Sequence, residues 1–217
     1  MQQEDLCLET TLRLDIATPY RTYLPSDYNE EGKGHPLLLF LHGAGERGSD
    51  LEIMARIGLP NYIEGGAELP FVTICPQCPN GEVWDVHALI ALLDEVVGNY
   101  NIDLTRIYAT GLSMGGGGVW DLANKIADRL AAIIPICGRL SLINPHKLKD
   151  LPVWCFHGEK DSVVPVVDSE RMAMMLRNAG CDVRLTTYPD TDHDSWTETY
   201  NNPEIYEWLL SHQNISS

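Results

Sequence analysis

Short, mostly apolar runs recur along the chain, and they constrain its fold more than any other feature. They fall at residues 36–41, 71–75, 106–109, 131–136 and 153–156. A continuous apolar run of this length is typical of a strand that is buried on both faces of a sheet. A sixth run, at residues 183–188, is more polar, so we expect it nearer a sheet edge.

Segments with the apolar spacing of a helix lie between these runs. In the clearest, residues 86–100, one helical face collects Leu89, Leu92, Leu93, Val96 and Val97. Further helices are predicted at residues 119–130, 168–179 and 203–212, with Gly or Pro near their ends. Strands that alternate with helices predict an α/β fold, a mostly parallel, doubly wound sheet covered on both faces.

The N-terminal segments follow a different pattern. Residues 12–16 and 20–24 alternate between apolar and polar side chains, which predicts an antiparallel hairpin at a sheet edge. A chain of 217 residues is long enough to bury a substantial core, and we expect residues 1–217 to form a single domain. The inserted stretches are too short for a large lid domain, so any pocket should be open.

Charge and hydropathy exclude several classes of function. The chain has 31 acidic and 15 basic residues, a net charge of −16, which argues against nucleic acid and anionic membrane surfaces as partners. No apolar run approaches the roughly 18 residues that suggest a membrane span. The first six residues, Met-Gln-Gln-Glu-Asp-Leu, do not resemble a signal peptide. We therefore expect a cytoplasmic protein with no membrane partner.

The cysteines favour neither a metal site nor disulfides. Cys75-Pro-Gln-Cys78 has C-x-x-C spacing, but no second Cys pair or His pair lies at the spacing of a zinc site. We predict that all six cysteines are reduced. A redox role for the C-x-x-C pair is an alternative, although the pair does not open a helix as a thioredoxin-type motif would.

One pentapeptide indicates a serine nucleophile. Gly111-Leu-Ser-Met-Gly115 has the pattern G-x-S-x-G and lies between a predicted strand and a predicted helix. A tight turn there lifts a serine hydroxyl clear of the backbone, and the flanking glycines are needed because a Cβ would collide in so sharp a bend. A phosphate-binding loop would need Gly-Lys-Ser/Thr where this chain has Val119 and Trp120. We predict Ser113 as a nucleophile.

A base and an acid follow in the chain at two later strand ends. The carboxyl ends of parallel strands meet at one edge of a sheet, where ligand sites gather. His193 follows the last strand and is the predicted base, while Asp161 follows the strand before it and is the predicted acid. The competing acids are Glu159 on the same loop and Asp190, Asp192 and Asp194 around the histidine.

A glycine-rich loop, His42-Gly-Ala-Gly45, follows the first buried strand. Acyl transfer needs two N–H donors at the developing oxyanion, each worth about 2.7–4 kcal/mol of the barrier. We predict the backbone N–H groups of Ala44 and Met114 as these donors. The rings of His42 and His157, each at a strand end before a glycine, are predicted to be structural and to bond loop carbonyls.

Four blocks of this sequence together resemble the α/β-hydrolase superfamily: His42-Gly-Ala-Gly-Glu-Arg-Gly48, Asp103-Leu-Thr-Arg-Ile-Tyr108, Gly111-Leu-Ser-Met-Gly-Gly116 and His193-Asp-Ser-Trp196. They are most similar to its phospholipase/carboxylesterase group, with dienelactone-hydrolase-like and feruloyl-esterase-like relatives. The resemblance spans about residues 10–212. It implies Ser113, Asp161 and His193 as a triad, with Ala44 and Met114 at the oxyanion. The sequence departs from the pattern at Gly117, where relatives tend to carry an aromatic residue.

These features predict a serine carboxylesterase that acts on small or short-chain esters through an acyl-enzyme, without a metal or organic cofactor. Trp84 and Trp196 are predicted walls of the substrate pocket. A feruloyl-type esterase, a thioesterase and a small peptidase are alternatives with the same machinery. A catalytically silent binding protein of the same fold is a further alternative, but it would be expected to have lost a triad residue, and all three are present.

Overall fold

The computed structural model describes residues 3–11 and 13–214. Seven strands form one sheet: Tyr20–Tyr23 (β1), His35–Leu41 (β2), Val72–Pro76 (β3), Ile102–Leu112 (β4), Ala132–Ile136 (β5), Val153–Gly158 (β6) and Val183–Tyr188 (β7). Their order is β1-β3-β2-β4-β5-β6-β7. β1 is antiparallel to β3, and every other neighbouring pair is parallel. The prediction of a mostly parallel α/β sheet with an antiparallel N-terminal edge is confirmed.

The helices are Leu51–Met54 (α1), Gly58–Glu64 (α2), Val86–Asn99 (α3), Met114–Ile126 (α4), Val167–Asn178 (α5), Trp196–Tyr200 (α6) and Glu204–Leu210 (α7). Short 3-10 turns occur at Ala44–Glu46, Ala127–Arg129 and Pro145–Leu148. The four predicted helices correspond to α3, α4, α5 and α7. The sequence did not predict α1, α2 and α6, which are four, seven and five residues long. Within the described ranges no helix has the length and apolar character needed to cross a membrane.

The sheet separates two apolar cores. Leu37 and Leu39 of β2 face one core, while Leu38 and Phe40 face the other. Successive side chains of a strand point to opposite faces, so a strand covered on both sides needs apolar residues at every position. That is why the central runs are continuously apolar.

The predicted N-terminal hairpin is wrong. Residues 13–16 form no strand, and Leu12 lies outside the described residues. β1 instead pairs with β3, with Tyr20 opposite Pro76. The side chains of Leu14 and Ile16 are 57% and 42% exposed, so their alternation does not correspond to a buried face.

α4 begins at Met114, five residues before the predicted start. Four consecutive glycines, each about 1 kcal/mol less favourable in a helix than alanine, concealed this first turn. Tertiary packing requires them: a Cβ at Gly116 would lie 2.5 Å from the carbonyl oxygen of Ile136. The close approach of helix and strand therefore overrides intrinsic propensity.

Candidate active site

Ser113 occupies a strained turn between β4 and α4. Its backbone has φ 54° and ψ −116°, and in the described part of the chain only Ser113 and Cys137 combine a positive φ with a side chain. Such a conformation costs about 1–3 kcal/mol and persists only where the surroundings enforce it. The Ser113 N–H donates to the carbonyl oxygen of Ile136 at 2.9 Å, which ties the turn to β5. The hydroxyl is thereby held at the carboxyl end of β4.

The three residues predicted as a triad lie in hydrogen-bond contact. His193 Nε2 is 2.9 Å from Ser113 Oγ, and His193 Nδ1 is 2.7 Å from Asp161 Oδ2. The side chain of Asp161 is completely buried, whereas that of His193 is 19% exposed. The carboxyl ends of β4, β6 and β7 supply one residue each. A carboxylate at Nδ1 keeps that nitrogen protonated, which leaves Nε2 free to accept the serine proton.

Backbone donors surround the buried carboxylate of Asp161. Its Oδ1 accepts hydrogen bonds from the N–H groups of Val163 (2.9 Å) and Val164 (2.8 Å). Its Oδ2 lies 3.2 Å from His157 Nε2. Donors therefore lie at both oxygens of a carboxylate that is completely buried, and they fix its orientation towards His193.

His157 is completely buried and is structural, as predicted. Its Nε2 donates to the carbonyl oxygen of Val164 at 2.9 Å, and its Nδ1 is 2.7 Å from Ser169 Oγ. The carbonyl and the nearby carboxylate can only accept, so Nε2 carries the hydrogen. The ring therefore supports the turn that holds Asp161.

His42 is also structural, as predicted. Its Nδ1 donates to the carbonyl oxygen of Gly43 at 2.6 Å, and its Nε2 accepts the N–H of Cys78 at 2.9 Å. Burial lowers the pKa of this ring to about 4, so it is neutral near pH 7. The imidazole joins the glycine-rich loop to the chain that follows β3.

The competing acids bond elsewhere. Glu159 accepts from Thr187 Oγ1 at 2.7 Å, and Asp190 pairs with Lys160 at 2.6 Å. Asp194 accepts from the N–H and hydroxyl of Thr197. Asp192 accepts the backbone N–H of His193 rather than a ring N–H. Asp161 is thus the carboxylate that contacts the imidazole.

A cavity of about 510 Å³ opens over Ser113. Its walls include the two predicted oxyanion donors, two cations and two valines: Ala44, Met114, Arg47, Arg139, Val83 and Val164. Ala44 and Met114 therefore share a cavity with the hydroxyl, and their role at the oxyanion stays a prediction.

The sequence reasoning missed the two arginines of this cavity. Arg47 donates to the carbonyl oxygens of Ala44 (2.9 Å) and Glu82 (3.2 Å), which braces the glycine-rich loop. Arg139 lies over Gly117, where a Cβ would come within 3.2 Å of its Cγ. The departure from the family pattern at Gly117 was the available signal, because removing a side chain there makes room for another residue.

Trp84, predicted as a wall of the substrate pocket, does not line the cavity over Ser113. Its indole is only 7% exposed, donates to the carbonyl oxygen of His42 at 3.1 Å and packs edge-to-face on that ring. A Cβ at Gly118 would lie 2.8 Å from Trp84 Cδ1, so the indole fills the space beside α4. The neighbouring Val83, not Trp84, lines the cavity over Ser113.

Trp196 lies against the triad histidine but outside this cavity. Its ring is perpendicular to that of His193, with centroids 5.3 Å apart. It lines a second cavity of about 600 Å³, whose walls come from α2, α6 and the neighbouring loops. Its role as a substrate contact stays a prediction.

The cysteines are free thiols, Cys7 exposed and the others buried. Cys75 and Cys78 belong to different cores, on opposite faces of the sheet. Cys137 offers a sulfur within 4.8 Å of ligand atoms of Asp161 and His193. Burial raises the pKa of the Cys137 thiol to about 12, and Asp161 and His193 bond each other.

The chain is similar to known hydrolases and esterases. Residues 82–207 match the model of the dienelactone hydrolase family. A crystal structure of a thermostable esterase superposes with a TM-score of 0.80 at 36% identity, covering 90% of this chain and 59% of that one.

Two curated relatives are also esterases by name. A bifunctional acetylxylan esterase/xylanase of Neocallimastix patriciarum is 24% identical over 200 residues, 86% of this chain. A probable feruloyl esterase C of Aspergillus niger is 25% identical over 192 residues, 83% of this chain and 68% of that protein. This chain spans only 27% of the length of the Neocallimastix protein.

Proposed function

Because this chain belongs to the dienelactone hydrolase family, we propose that it is a serine carboxylesterase that hydrolyses small or short-chain carboxylic esters. The observation that carries the proposal is the hydrogen-bonded series from Ser113 Oγ through His193 to Asp161, with links of 2.9 and 2.7 Å. A nucleophile, a base and a buried acid in this order support acyl transfer.

In the first half-reaction, Ser113 Oγ attacks the ester carbonyl carbon while His193 Nε2 takes the hydroxyl proton. Asp161 stabilises the imidazolium that forms. Collapse of the tetrahedral intermediate breaks the bond to the alcohol oxygen, and His193 returns the proton to that oxygen. The products of this step are the free alcohol and an acyl-Ser113.

In the second half-reaction, His193 removes a proton from water, and the hydroxide oxygen attacks the acyl carbon. The bond to Ser113 Oγ then breaks, and the serine regains its proton from His193. In both steps the backbone N–H groups of Ala44 and Met114 stabilise the oxyanion. The positive end of α4, which starts at Met114, adds to this stabilisation.

The test is covalent labelling combined with turnover. We expect a fluorophosphonate probe to modify Ser113, identified by peptide mass spectrometry, and p-nitrophenyl acetate to be hydrolysed. Ser113→Ala should remove both signals and reduce turnover by several orders of magnitude. The exposed Ser26→Ala serves as a control that keeps both. A Ser113→Ala variant with about a tenth of wild-type turnover would contradict the proposal, and a chain that is neither labelled nor active would be a silent binding protein.

Esters of plant cell-wall polysaccharides are a second candidate substrate class. The names of the acetylxylan and feruloyl esterase relatives favour it, as does the second cavity beside His193. That cavity combines an indole, Trp196, with the amides of Asn61 and Asn201, a set suited to a hydroxyl-rich group. Acetylated xylo-oligosaccharides and methyl ferulate should then be better substrates than p-nitrophenyl acetate. Trp196→Ala should remove that advantage.

A further inference from the structure

The acid and the base of the site belong to different loops. Asp161 lies in the loop after β6, and His193 lies in the loop after β7. Their 2.7 Å hydrogen bond therefore depends on how these two loops are held against each other. Two contacts of Lys160 join the loops: its N–H donates to the carbonyl oxygen of Thr191 at 3.0 Å, and its exposed side chain pairs with Asp190 at 2.6 Å.

A further connection lies directly beside the acid–base pair. Asp192 Oδ1 accepts the N–H of Ser162 at 2.8 Å and the N–H of His193 at 2.8 Å. The Ser162 hydroxyl also donates to it, at 2.9 Å. Ser162 directly follows the acid and Asp192 directly precedes the base, so one carboxylate spans the two loops at the positions next to Asp161 and His193.

We propose that Asp192 is a positioning residue, a carboxylate clamp that sets the relative placement of Asp161 and His193. This inference rests on the proposed function. Asp192 touches neither the hydroxyl nor the imidazole ring, so it acts through the two loops. A misplacement of about 1 Å at a reacting group can cost about 100-fold in rate, so a clamp at this point has a measurable effect.

The surroundings keep the clamp in its accepting state. Hydrogen bonds from Ser162 lower the pKa of the Asp192 carboxyl, so it is ionised at neutral pH and accepts only. Of the other titratable groups on these loops, His193 also lowers the pKa of the Asp192 carboxyl, and Lys160 and Asp190 form an exposed pair with each other.

The experiment separates hydrogen bonding from charge. Asp192→Ala removes both, whereas Asp192→Asn removes the charge and keeps an oxygen acceptor. We expect Asp192→Ala to lower kcat for p-nitrophenyl acetate about tenfold with KM within about twofold, and Asp192→Asn to retain at least about a third of wild-type kcat. Ser162→Ala, which removes the hydroxyl contact alone, should lower kcat about twofold to threefold.

Asp190→Ala is the matched control, because it removes a carboxylate of the same loop that also pairs across to Lys160, but in an ion pair so exposed that it contributes little in water. Its kcat should equal that of the wild type. An Asp192→Ala variant with kcat within about twofold of wild type overturns the clamp, and so does an Asn variant as impaired as the Ala variant. The kcat values of these variants are compared with a wild-type activity that Ser113→Ala removes. Failure of the proposed function appears instead as the absence of that activity.

Discussion

Gly115 and Leu41 approach so closely that a Cβ on the glycine would lie 1.9 Å from the leucine carbonyl oxygen. Gly115 lies in the first turn of α4 and Leu41 ends β2, so neither backbone can move away without disturbing its helix or strand. We expect Gly115→Ala to lose at least about 4 kcal/mol of unfolding free energy, or to be recovered only as aggregate. Urea denaturation measures this loss. A soluble, active variant with an unchanged urea midpoint would show that a methyl group fits between Gly115 and Leu41.

Gly98→Ala provides the contrast on another helix. Beyond its chain neighbours and its own helix backbone, no atom lies within 4 Å of a Cβ built at Gly98, which is exposed in the last turn of α3. Alanine there should stabilise the protein by about 0.5–1 kcal/mol, because it restricts the unfolded chain and favours the helix. The expected gain in Tm is about 1–4 °C. A loss of stability would argue against the local helix geometry.

The strained turn at Ser113 predicts an inverse relation between activity and stability. Glycine tolerates φ 54° and ψ −116° without the penalty that any Cβ incurs. Ser113→Gly should therefore be inactive but about 1 kcal/mol more stable than Ser113→Ala, which keeps the strain. Paired thermal melts of the two variants make the comparison. Equal or reversed stabilities would mean that the turn is not strained.

The assignment of the acid predicts a large effect at one carboxylate. In Asp161→Asn an amide replaces the oxygen that accepts from His193 Nδ1, which favours the wrong tautomer of the ring. We expect kcat to fall by about 10⁴, the magnitude known for the same change in a serine protease. Glu159→Gln, on the same loop, should leave kcat near wild type because Glu159 bonds Thr187. Strong impairment by Glu159→Gln with mild impairment by Asp161→Asn would reverse the assignment.

Buried His42 predicts a pH dependence of stability. Its pKa is about 4 in the folded protein and near 6.5 when exposed, so between these values the unfolded chain binds more protons than the folded one. The contribution is complete above pH 6.5 and is lost as the pH falls, by about 2–3 kcal/mol at pH 4.5.

His42→Gln removes the titrating group, so the difference in unfolding free energy between pH 7 and pH 4.5 should shrink by that amount. The exposed His87→Gln should leave that difference unchanged. Identical pH dependence in wild type and His42→Gln would mean that folding does not lower the pKa of this ring.

The cavity over Ser113 predicts a preference for short acyl groups. Its apolar wall comes from only four side chains, Ala44, Val83, Met114 and Val164, and two arginines also line the cavity. A buried methylene is worth about 0.8 kcal/mol, roughly fourfold in kcat/KM, only while apolar wall remains to receive it. Activity on p-nitrophenyl esters should hold or rise to about butyrate and fall by hexanoate to octanoate. An optimum at decanoate or beyond would indicate a deep apolar channel.

Local sequence patterns were sufficient to predict the central strands of the sheet and the tight turn at Ser113. The run from Leu37 to Leu41 is apolar at every position because both faces of β2 are covered. Its burial on both sides can therefore be predicted from the sequence alone. The glycines around Ser113 are required because a Cβ would clash in this one tight turn, and that requirement is also visible in the sequence. The order of the nucleophile, acid and base along the chain, each after a strand, was enough to predict which three side chains would meet.

What the sequence by itself determined is therefore whatever depends on neighbours in the chain: strand burial, turn sterics and the order of the loops. Only the tertiary structure decided that Trp84 fills the core while Val83 faces the cavity, and that Asp192 spans the two loops. It also decided that β1, and not residues 13–16, occupies the edge of the sheet. These outcomes depend on contacts between segments far apart in the chain, and no local periodicity encodes which distant surface a side chain will meet.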